Sequence, residues 1–258
     1  MSEGTTRLYY TDAYRTDFTS RVVGRSEDGL RVYLAETAFY PTSGGQPHDV
    51  GRLGAARVVD VVDEEGDRIA HVLASPADGD ATELRGTVDW THRFDNMQQH
   101  SGQHLLSAVF EDLFGFKTVS VHFGAESSTL DVDAESISRQ QLVACEARAN
   151  AIVTEARPIG VTFEDAADAA RSGLRKASDR DGTLRIVSID GVDRSACGGT
   201  HVRSTAEIGA VLVRSTEKVR RATRVEFICG SRAIARARRD FESLDRIASS
   251  LSAASGDV

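Results

Sequence analysis

The sequence is poor in cysteine and in lysine. Its 258 residues include three cysteines, Cys145, Cys197 and Cys229, and only three of the 31 basic residues are lysines. An odd number of widely spaced cysteines excludes a disulfide framework and favours a reducing compartment. The basic charge is therefore carried almost entirely by arginine.

Long hydrophobic runs are also missing. No stretch approaches the roughly 18 consecutive apolar residues that a membrane span requires, and the first residues lack a cationic start followed by an apolar run. We therefore expect no membrane span and no signal peptide. The sequence predicts a cytoplasmic protein.

The charge balance is acidic, with 39 acidic against 31 basic residues and a formal net charge of -8. That excess argues against a general nucleic-acid binder, which normally carries a basic excess. Apolar residues make up 40% and charged residues 27%, as in ordinary globular proteins. A chain of this length can form one large domain or two modest ones.

Residues 7–88 contain short apolar runs separated by Gly, Asp and Pro turns. This pattern predicts several short strands, as in a small barrel or sandwich. The region also contains a glycine-rich segment at residues 41–54, PTSGGQPHDVGRLG. Those glycines suit a tight loop between strands or the close approach of a ligand.

After Trp90 the apolar residues recur at helical spacing, and Gly115 is a suitable helix end. Strands alternate with helices from there on, and an arginine-rich amphipathic helix is predicted from Ser231 onwards. The sequence predicts an α+β fold, in which a small barrel-like domain precedes a mixed α/β region and a C-terminal helix. The first boundary falls near residue 90.

Two short segments combine into a metal-binding pattern. His100 and His104 lie four residues apart on the predicted helix, so their imidazoles share one face. Cys197 and His201 are also four apart, and the glycines between them let both side chains converge. Two histidines with a cysteine and a further histidine form a nitrogen and sulfur set that suits zinc.

Either segment alone also fits a simpler interpretation. A histidine pair at this spacing is often a surface or packed pair, and CGGTH also fits a glycine turn with a buried cysteine. The presence of both in a chain with seven histidines favours a shared metal site. Cys145 and Cys229 are interpreted as small buried apolar residues.

The order of motifs resembles a known family. An H-x-x-x-H helix followed about 90 residues later by CGGTH is similar to the editing domain of alanyl-tRNA synthetase and the freestanding AlaX proteins. The upstream FYPTSGGQPHDVG resembles the glycine-rich stretch of the alanyl group, and TVSVHFG, TLDVD and RVEFICG fit as well. The resemblance extends over residues 30–250 and points to the medium or long AlaX forms.

The resemblance implies ester hydrolysis of mischarged tRNA(Ala) carrying serine or glycine. It divides the chain into a β-rich glycine-motif domain at 1–89, a zinc-dependent editing domain at 90–230 and a C-terminal helix at 231–258. In longer relatives such a helix connects to a further domain. No aminoacylation core is recognisable, so the protein would act in trans on tRNA, as a monomer or a homodimer.

Zinc can generate a nucleophilic water and polarise a carbonyl, but four protein ligands close a tetrahedral site, which is usually structural. We therefore expect His100, His104 and Cys197 to be firm ligands. His201 would be a weak ligand or a general base. A zinc ion that only positions the substrate or the fold is the alternative.

Further site residues are predicted from their neighbourhood in the sequence. Gln103 is a candidate to hold the water or ester, and Thr200 a candidate to bind a substrate oxygen. The resemblance implies that Ser120 or His122 reads the serine hydroxyl, and that three residues of the glycine motif support the 3′ end of the tRNA. Those three are Gly44, Gly45 and Gln46.

The densest basic cluster, EKVRRATR, is the candidate contact with the tRNA backbone, because arginine binds phosphate well. Its basic residues are Lys218, Arg220, Arg221 and Arg224. Two rival functions keep the same motifs: a metal hydrolase acting on another aminoacyl-tRNA or small ester, and a non-enzymatic tRNA-binding module with structural zinc.

Overall fold

The structure is a computed structural model that describes residues 4–77, 79, 81–176 and 181–254. The predicted domain ranges also include positions 1–3, 78, 80, 177–180 and 255–258, which lie outside the described residues. Within the described ranges, no helix combines the length and the apolar character needed to cross a membrane.

The described N-terminal region consists of short strands. They are β1 (Thr6–Arg7), β2 (Asp17–Arg25), β3 (Arg31–Leu34), β4 (Glu36–Thr37), β5 (Gly51–Leu53), β6 (Ala56–Glu64), β7 (Arg68–Leu73) and β8 (Glu83–Val88). Six of them close into a barrel in the order β2-β3-β7-β6-β5-β8. The remaining two, β1 and β4, pair in parallel outside it.

Alternation of side chains along the strands accounts for the barrel. In β8 every second residue is buried, and β2 begins with the same pattern, so one face of each strand supplies the core. Phe18, Phe39, Leu53 and Ile69 are among the apolar side chains packed inside. Because each strand has two hydrogen-bonded neighbours, the ring leaves no unpaired strand edge.

Helix α1 (Trp90–Phe114) follows the barrel. The side chain of Asp89 accepts a hydrogen bond from the His92 amide, which caps the N-terminus. Gly115 ends the helix with a left-handed φ of 71°, a conformation that glycine adopts without steric cost. The predicted helix end at Gly115 is therefore confirmed.

The rest of the described chain forms two antiparallel sheets and three helices. The elements are β9 (Thr118–Phe123), β10 (Ser128–Val132), α2 (Arg139–Thr154), β11 (Ile159–Asp165), α3 (Ala166–Arg171), β12 (Thr183–Ile189), β13 (Asp193–Ala196), β14 (Val211–Val219), β15 (Ala222–Cys229) and α4 (Gly230–Ser250). The sheet orders are β14-β15-β10-β9 and β11-β12-β13. Helices α1 and α2 pack together with both sheets around one apolar core.

These elements confirm a mixed α/β structure with a strand-rich N-terminal region and a C-terminal helix. The C-terminal helix begins at Gly230, one residue before the predicted start. Cys145 and Cys229 are fully buried, as expected. The division into three domains stays a prediction.

A buried ion pair joins the barrel to α1. Arg93 on α1 and Asp49 on the loop before β5 are both inaccessible to solvent, and Arg93 Nε lies 2.9 Å from Asp49 Oδ1. The same guanidinium donates to the carbonyl oxygens of Ala13 and Ala38, each at 2.6 Å. One side chain thus ties α1 to the glycine-motif loop and to the N-terminal segment.

Candidate metal centre

The four predicted ligands converge in the structure. One donor atom from each of His100, His104, Cys197 and His201 lies within 4.8 Å of the others. Cys197 Sγ is 3.4 Å from His100 Nε2 and 3.3 Å from His201 Nε2. All three imidazoles are buried.

This convergence has a local cause on each side. One helical turn places His100 and His104 on the same face of α1, while the segment after β13 brings Cys197 and His201 against them. Gly199 permits the close packing, because a Cβ atom there would collide with the His100 ring. CGGTH therefore needs glycine at this position for space.

The donor set and its spacing fit zinc. A thiolate sulfur and an imidazole nitrogen on one tetrahedral zinc ion lie about 3.5 Å apart, given bond lengths of about 2.3 and 2.0 Å. The two sulfur–nitrogen distances in the cluster are close to that value. Three imidazoles with one thiolate also form a donor set that zinc prefers.

Each histidine ring is held from behind through its other nitrogen. Nδ1 of His100 lies 2.8 Å from Gln46 Oε1, and Nδ1 of His104 lies 2.8 Å from Asp193 Oδ2. Nδ1 of His201 lies 3.1 Å from Ser101 Oγ. These contacts leave the Nε2 atoms for a metal, as is usual for metal-binding histidines.

The local charges favour the ligand forms of Cys197 and His201. Burial works against the Cys197 thiolate, but the charges of His100 and His201 hold the pKa of the thiol well below its usual value. Burial, together with the charge of His100, lowers the pKa of His201 to about 3. Burial also works to lower the pKa of His104, but the hydrogen bonds to Asp193 and Cys197 outweigh it and raise the pKa to about 9.

Asp193 is a site residue that the sequence reasoning missed. It is buried and accepts hydrogen bonds from Arg175 Nε at 2.6 Å and from Ser195 Oγ at 3.0 Å. Burial alone would raise its pKa, but His104 and Arg175 lower it to about 2, so Asp193 stays ionised beside the His104 ring. The sequence feature that could have indicated it is the position of this carboxylate, four residues before Cys197.

A cavity of about 790 Å³ reaches the cluster. His100, His104 and Cys197 contribute to its wall, together with Gln103 and Ser120. A separate cavity of about 270 Å³ reaches His201 from the side of the N-terminal segment, between Tyr10 and Arg203. The cluster therefore lies between the two cavities.

The glycine motif contributes to this site in two ways. Ser43 and Gly44 line the larger cavity, whereas Gly45 and Gln46 are outside its described lining. Gln46 is buried and donates from Nε2 to Thr200 Oγ1 at 2.8 Å, while its Oε1 accepts from the Thr200 amide. The structure thus gives Thr200 a protein partner, and its contact with a substrate stays a prediction.

The two candidate serine-reading residues on β9 lie in different surroundings. Ser120 lines the cavity and donates to Asp131 Oδ2 at 2.7 Å, whereas His122 is exposed and outside the described lining. Gln103, which also lines the cavity, is buried and donates to Ser107 Oγ at 2.8 Å.

The predicted tRNA-binding cluster lies on the hairpin formed by β14 and β15. Lys218, Arg220 and Arg221 are exposed at the turn. Arg224 forms two hydrogen bonds with Asp131, at 2.8 and 2.9 Å. All four residues are outside the described lining of both cavities.

Comparison with known proteins identifies the family. Residues 184–225 match the family described as the threonyl and alanyl tRNA synthetase second additional domain. Alanyl-tRNA editing protein AlaX-M of Methanosarcina acetivorans is 30% identical over 235 residues, covering 84% of this chain and 95% of that protein. The chain belongs to the family of alanyl-tRNA editing proteins.

Longer members of the alanyl-tRNA editing family are also similar. Alanyl-tRNA editing protein Aarsd1-A of Xenopus laevis is 35% identical over 241 residues, or 86% of this chain and 58% of that protein. AlaX-L of Pyrococcus horikoshii is 32% identical over 244 residues, which cover 89% of this chain and 59% of that protein. The chain thus spans about three fifths of the length of these two relatives.

Proposed function

We propose that this chain is a trans-editing hydrolase that removes serine and glycine from mischarged tRNA(Ala). The observation that carries the proposal is the buried cluster of three histidines and Cys197 at the wall of a large cavity, in a member of the alanyl-tRNA editing family. With tRNA as its substrate, the protein would act in the cytoplasm.

Zinc is the proposed cofactor, held by His100, His104, Cys197 and His201. When bound, zinc can lower the pKa of a water to about 7 and polarise an ester carbonyl. A pKa of about 3 makes His201 a weak proton acceptor at pH 7, because a general base works best with a pKa near the operating pH. This argues for the ligand role of His201 over the general-base role.

Gln103 is proposed to orient the water or the ester in the cavity. Its amide nitrogen is committed to Ser107, whose hydroxyl also accepts from Thr118 Oγ1 at 2.7 Å. Oε1 of Gln103 has no hydrogen-bond partner among the described residues. It is therefore available to accept from a water molecule or from the substrate's amino group.

Ser120 is proposed to read the hydroxyl of a misattached serine. Its proton is committed to Asp131, which Arg224 holds in place, so its oxygen can accept from the seryl hydroxyl. A fully buried reader can discriminate by roughly 10⁴- to 10⁵-fold. Ser120 is exposed, so we expect a smaller preference for serine over alanine from this contact.

Lys218, Arg220 and Arg221 are proposed to contact the tRNA backbone, since they are exposed at one turn. Arg224 would contribute less, because its guanidinium is already paired with Asp131. The division into a glycine-motif domain, an editing domain and a C-terminal helix is retained as part of the proposal.

A deacylation assay tests the function. Seryl-, glycyl- and alanyl-tRNA(Ala) are incubated with the zinc-loaded protein, and we expect loss of serine and glycine in preference to alanine. Cys197→Ala should abolish this hydrolysis. Cys145→Ala is the matched control, because Cys145 is a buried cysteine that lies outside the cluster.

Three results would count against the proposal. Retention of all three esters by the loaded wild-type protein would favour a tRNA-binding module with structural zinc. Hydrolysis that is equal in Cys197→Ala and Cys145→Ala would exclude the cluster from the reaction. Faster hydrolysis of a different aminoacyl-tRNA would favour the rival metal hydrolase.

A further inference from the structure

An exposed aromatic ring lies in the wall of the large cavity. Phe163 on β11 is 50% exposed and lines the cavity that reaches the metal cluster. Strand β11 is the edge of the sheet β11-β12-β13, so the ring has no neighbouring strand on its outer side. A half-exposed phenylalanine gains little from folding and is available to pack against a ligand.

The residue directly across from Phe163 is a buried arginine. Phe163 pairs in register with Arg185 on β12, and Arg185 lines the same cavity. Arg185 is 8% exposed, and it donates to the carbonyl oxygens of Tyr10 at 2.9 Å and Cys197 at 2.7 Å. The second contact puts the guanidinium beside the metal cluster.

Arg185 differs from the other arginines of this wall in its lack of an acidic partner. Arg7 is paired with Asp63, and Arg175 is paired with Asp193. Among the described residues, no carboxylate lies within ion-pair distance of Arg185, and its two side-chain hydrogen bonds go to backbone carbonyl oxygens. The wall therefore contains a nearly buried positive charge that no described carboxylate balances.

We propose that Phe163 and Arg185 form a binding surface for the unpaired 3′-terminal nucleotide of an RNA, with the base stacked on Phe163 and its phosphate facing Arg185. The identity of this RNA as tRNA rests on the proposed function. Stacking on an aromatic ring accepts any base and is typical of proteins that bind single-stranded nucleic acid. Because Arg185 contacts the Cys197 carbonyl, a nucleotide held there would have its 3′ oxygen close to the cluster.

This surface complements the cluster at Lys218, Arg220 and Arg221. Those residues are exposed on the β14–β15 hairpin and outside the cavity, where they are suited to the double-stranded part of an RNA. Phe163 and Arg185 would bind only the unpaired end. The two surfaces would therefore differ in their dependence on the single-stranded end.

Binding of an uncharged RNA tests the proposal without hydrolysis. The probes are a fluorescently labelled acceptor minihelix of tRNA(Ala) and the same minihelix without its unpaired end. We expect Phe163→Ala to weaken binding of the complete minihelix about tenfold or more, since one stacked base is worth that much by alanine substitution. Phe163→Trp should retain the affinity.

The matched control is Phe241→Ala. Phe241 on α4 is 53% exposed and outside the described lining of both cavities, so the same substitution there should leave binding unchanged. Equal affinities of Phe163→Ala and Phe241→Ala for the complete minihelix would overturn the proposal. So would a wild-type protein that binds both minihelices equally well.

Arg185 is tested through salt dependence. Arg185→Met should reduce the slope of log affinity against log salt by about 0.7, the value for one phosphate of a single strand, and Arg185→Lys should preserve it. A purely structural role would lower affinity without changing the slope. Thermal unfolding of each variant checks that the fold is intact.

The outcomes separate this proposal from the proposed function. If Phe163→Ala weakens minihelix binding but the wild-type protein hydrolyses no aminoacyl ester, the proposed function is rejected and the proposed binding surface is retained. A protein that hydrolyses seryl-tRNA(Ala) while Phe163→Ala behaves like Phe241→Ala would reject the surface alone.

Discussion

The barrel and helix α1 bury different kinds of side chain. The barrel core is built from apolar residues such as Phe18, Leu34 and Val61. Most residues of α1 from Arg93 to Phe110 are also buried, but about half of these are polar, including Gln98, Gln99, Ser101 and Ser107. Buried polar groups need partners and have little tolerance for error. The difference marks the barrel as scaffold and α1 as the element that carries the site.

Histidine shows the same contrast at a single residue type. His71 in the barrel contacts Thr37 Oγ1 at 2.7 Å and the Val32 carbonyl oxygen at 3.0 Å, and burial lowers its pKa to about 4. His104 on α1 lies between Asp193 and Cys197, which raise its pKa to about 9 against the effect of burial. Burial alone lowers the pKa of a histidine, whereas a buried carboxylate and a thiolate beside the ring raise it.

The largest expected effect comes from cutting the link between the two regions. Arg93→Met leaves the Asp49 carboxylate buried without its partner, and removing one member of a buried ion pair costs about 3–5 kcal/mol. We expect urea unfolding to show this loss in the free energy of unfolding.

The control for Arg93 is Arg203→Met. Arg203 pairs with Asp12 at 3.1 Å, but the Arg203 side chain is 63% exposed and the Asp12 side chain is 50% exposed. We therefore expect the free energy of unfolding to change by only about 0–1 kcal/mol. Equal losses in the two variants would contradict the claim that the Arg93 pair holds barrel and helix together.

The next effect is pH dependence of barrel stability. The unfolded chain takes up a proton at the usual His71 pKa of 6.5, whereas folded His71 resists it until about pH 4. The His71 contribution is therefore fully present above pH 6.5 and is lost as the pH falls towards 4, by about 3 kcal/mol in total.

His71→Gln isolates this contribution, because glutamine does not titrate and keeps hydrogen-bonding capacity. Urea unfolding between pH 7 and pH 4 gives the free energy of unfolding of the wild-type protein and of His71→Gln. The titration of the carboxylates is common to both proteins and cancels in the difference. If both proteins lose the same stability over this interval, His71 is not the neutral buried histidine described here.

The smallest of the three effects concerns Gln46, a side chain of the N-terminal region that contacts the cluster. Gln46→Ala removes the partner of His100 Nδ1, and losing such a partner typically lowers metal affinity by about 10- to 100-fold. Competition with a chromophoric chelator measures the zinc affinity. Gln99→Ala is the control, because Gln99 is buried on α1 but bonds to Cys229 and Asp95 instead of a ligand; a matching loss there would contradict a specific role of Gln46.

The cluster of three histidines and Cys197 was predictable because its spacing is local. One helical turn fixes His100 relative to His104, and a glycine turn fixes Cys197 relative to His201. The helix end at Gly115 was predictable for the same reason, since glycine acts there on its own neighbours. Bringing the two halves together needed only the chemistry of the donor set.

Contacts across the sheets were not predictable in this way. Asp193 and Arg175 are ordinary charged residues in the sequence. Asp193 follows His104 by 89 residues, and only the tertiary fold brings Asp193 and Arg175 to the His104 ring. Arg224 looked like a free cation in a basic run, because a sequence shows charge density but not ion pairing. Asp131, its partner, is 93 residues away.

The N-terminal segment between β1 and β2 leaves the ribosome before the barrel strands that follow it, yet two of its partners are made much later. The ring of six strands needs only the chain up to Val88, whereas the carbonyl oxygen of Tyr10 accepts from Arg185, 175 residues later. At about 5–20 residues per second, that interval is roughly 10 to 35 seconds of synthesis. The Tyr14 hydroxyl must wait longer still, until Glu207 has been made and can accept its hydrogen bond. We therefore expect the barrel to close early on the nascent chain, while this segment completes its contacts only after Arg185 and Glu207 have been made.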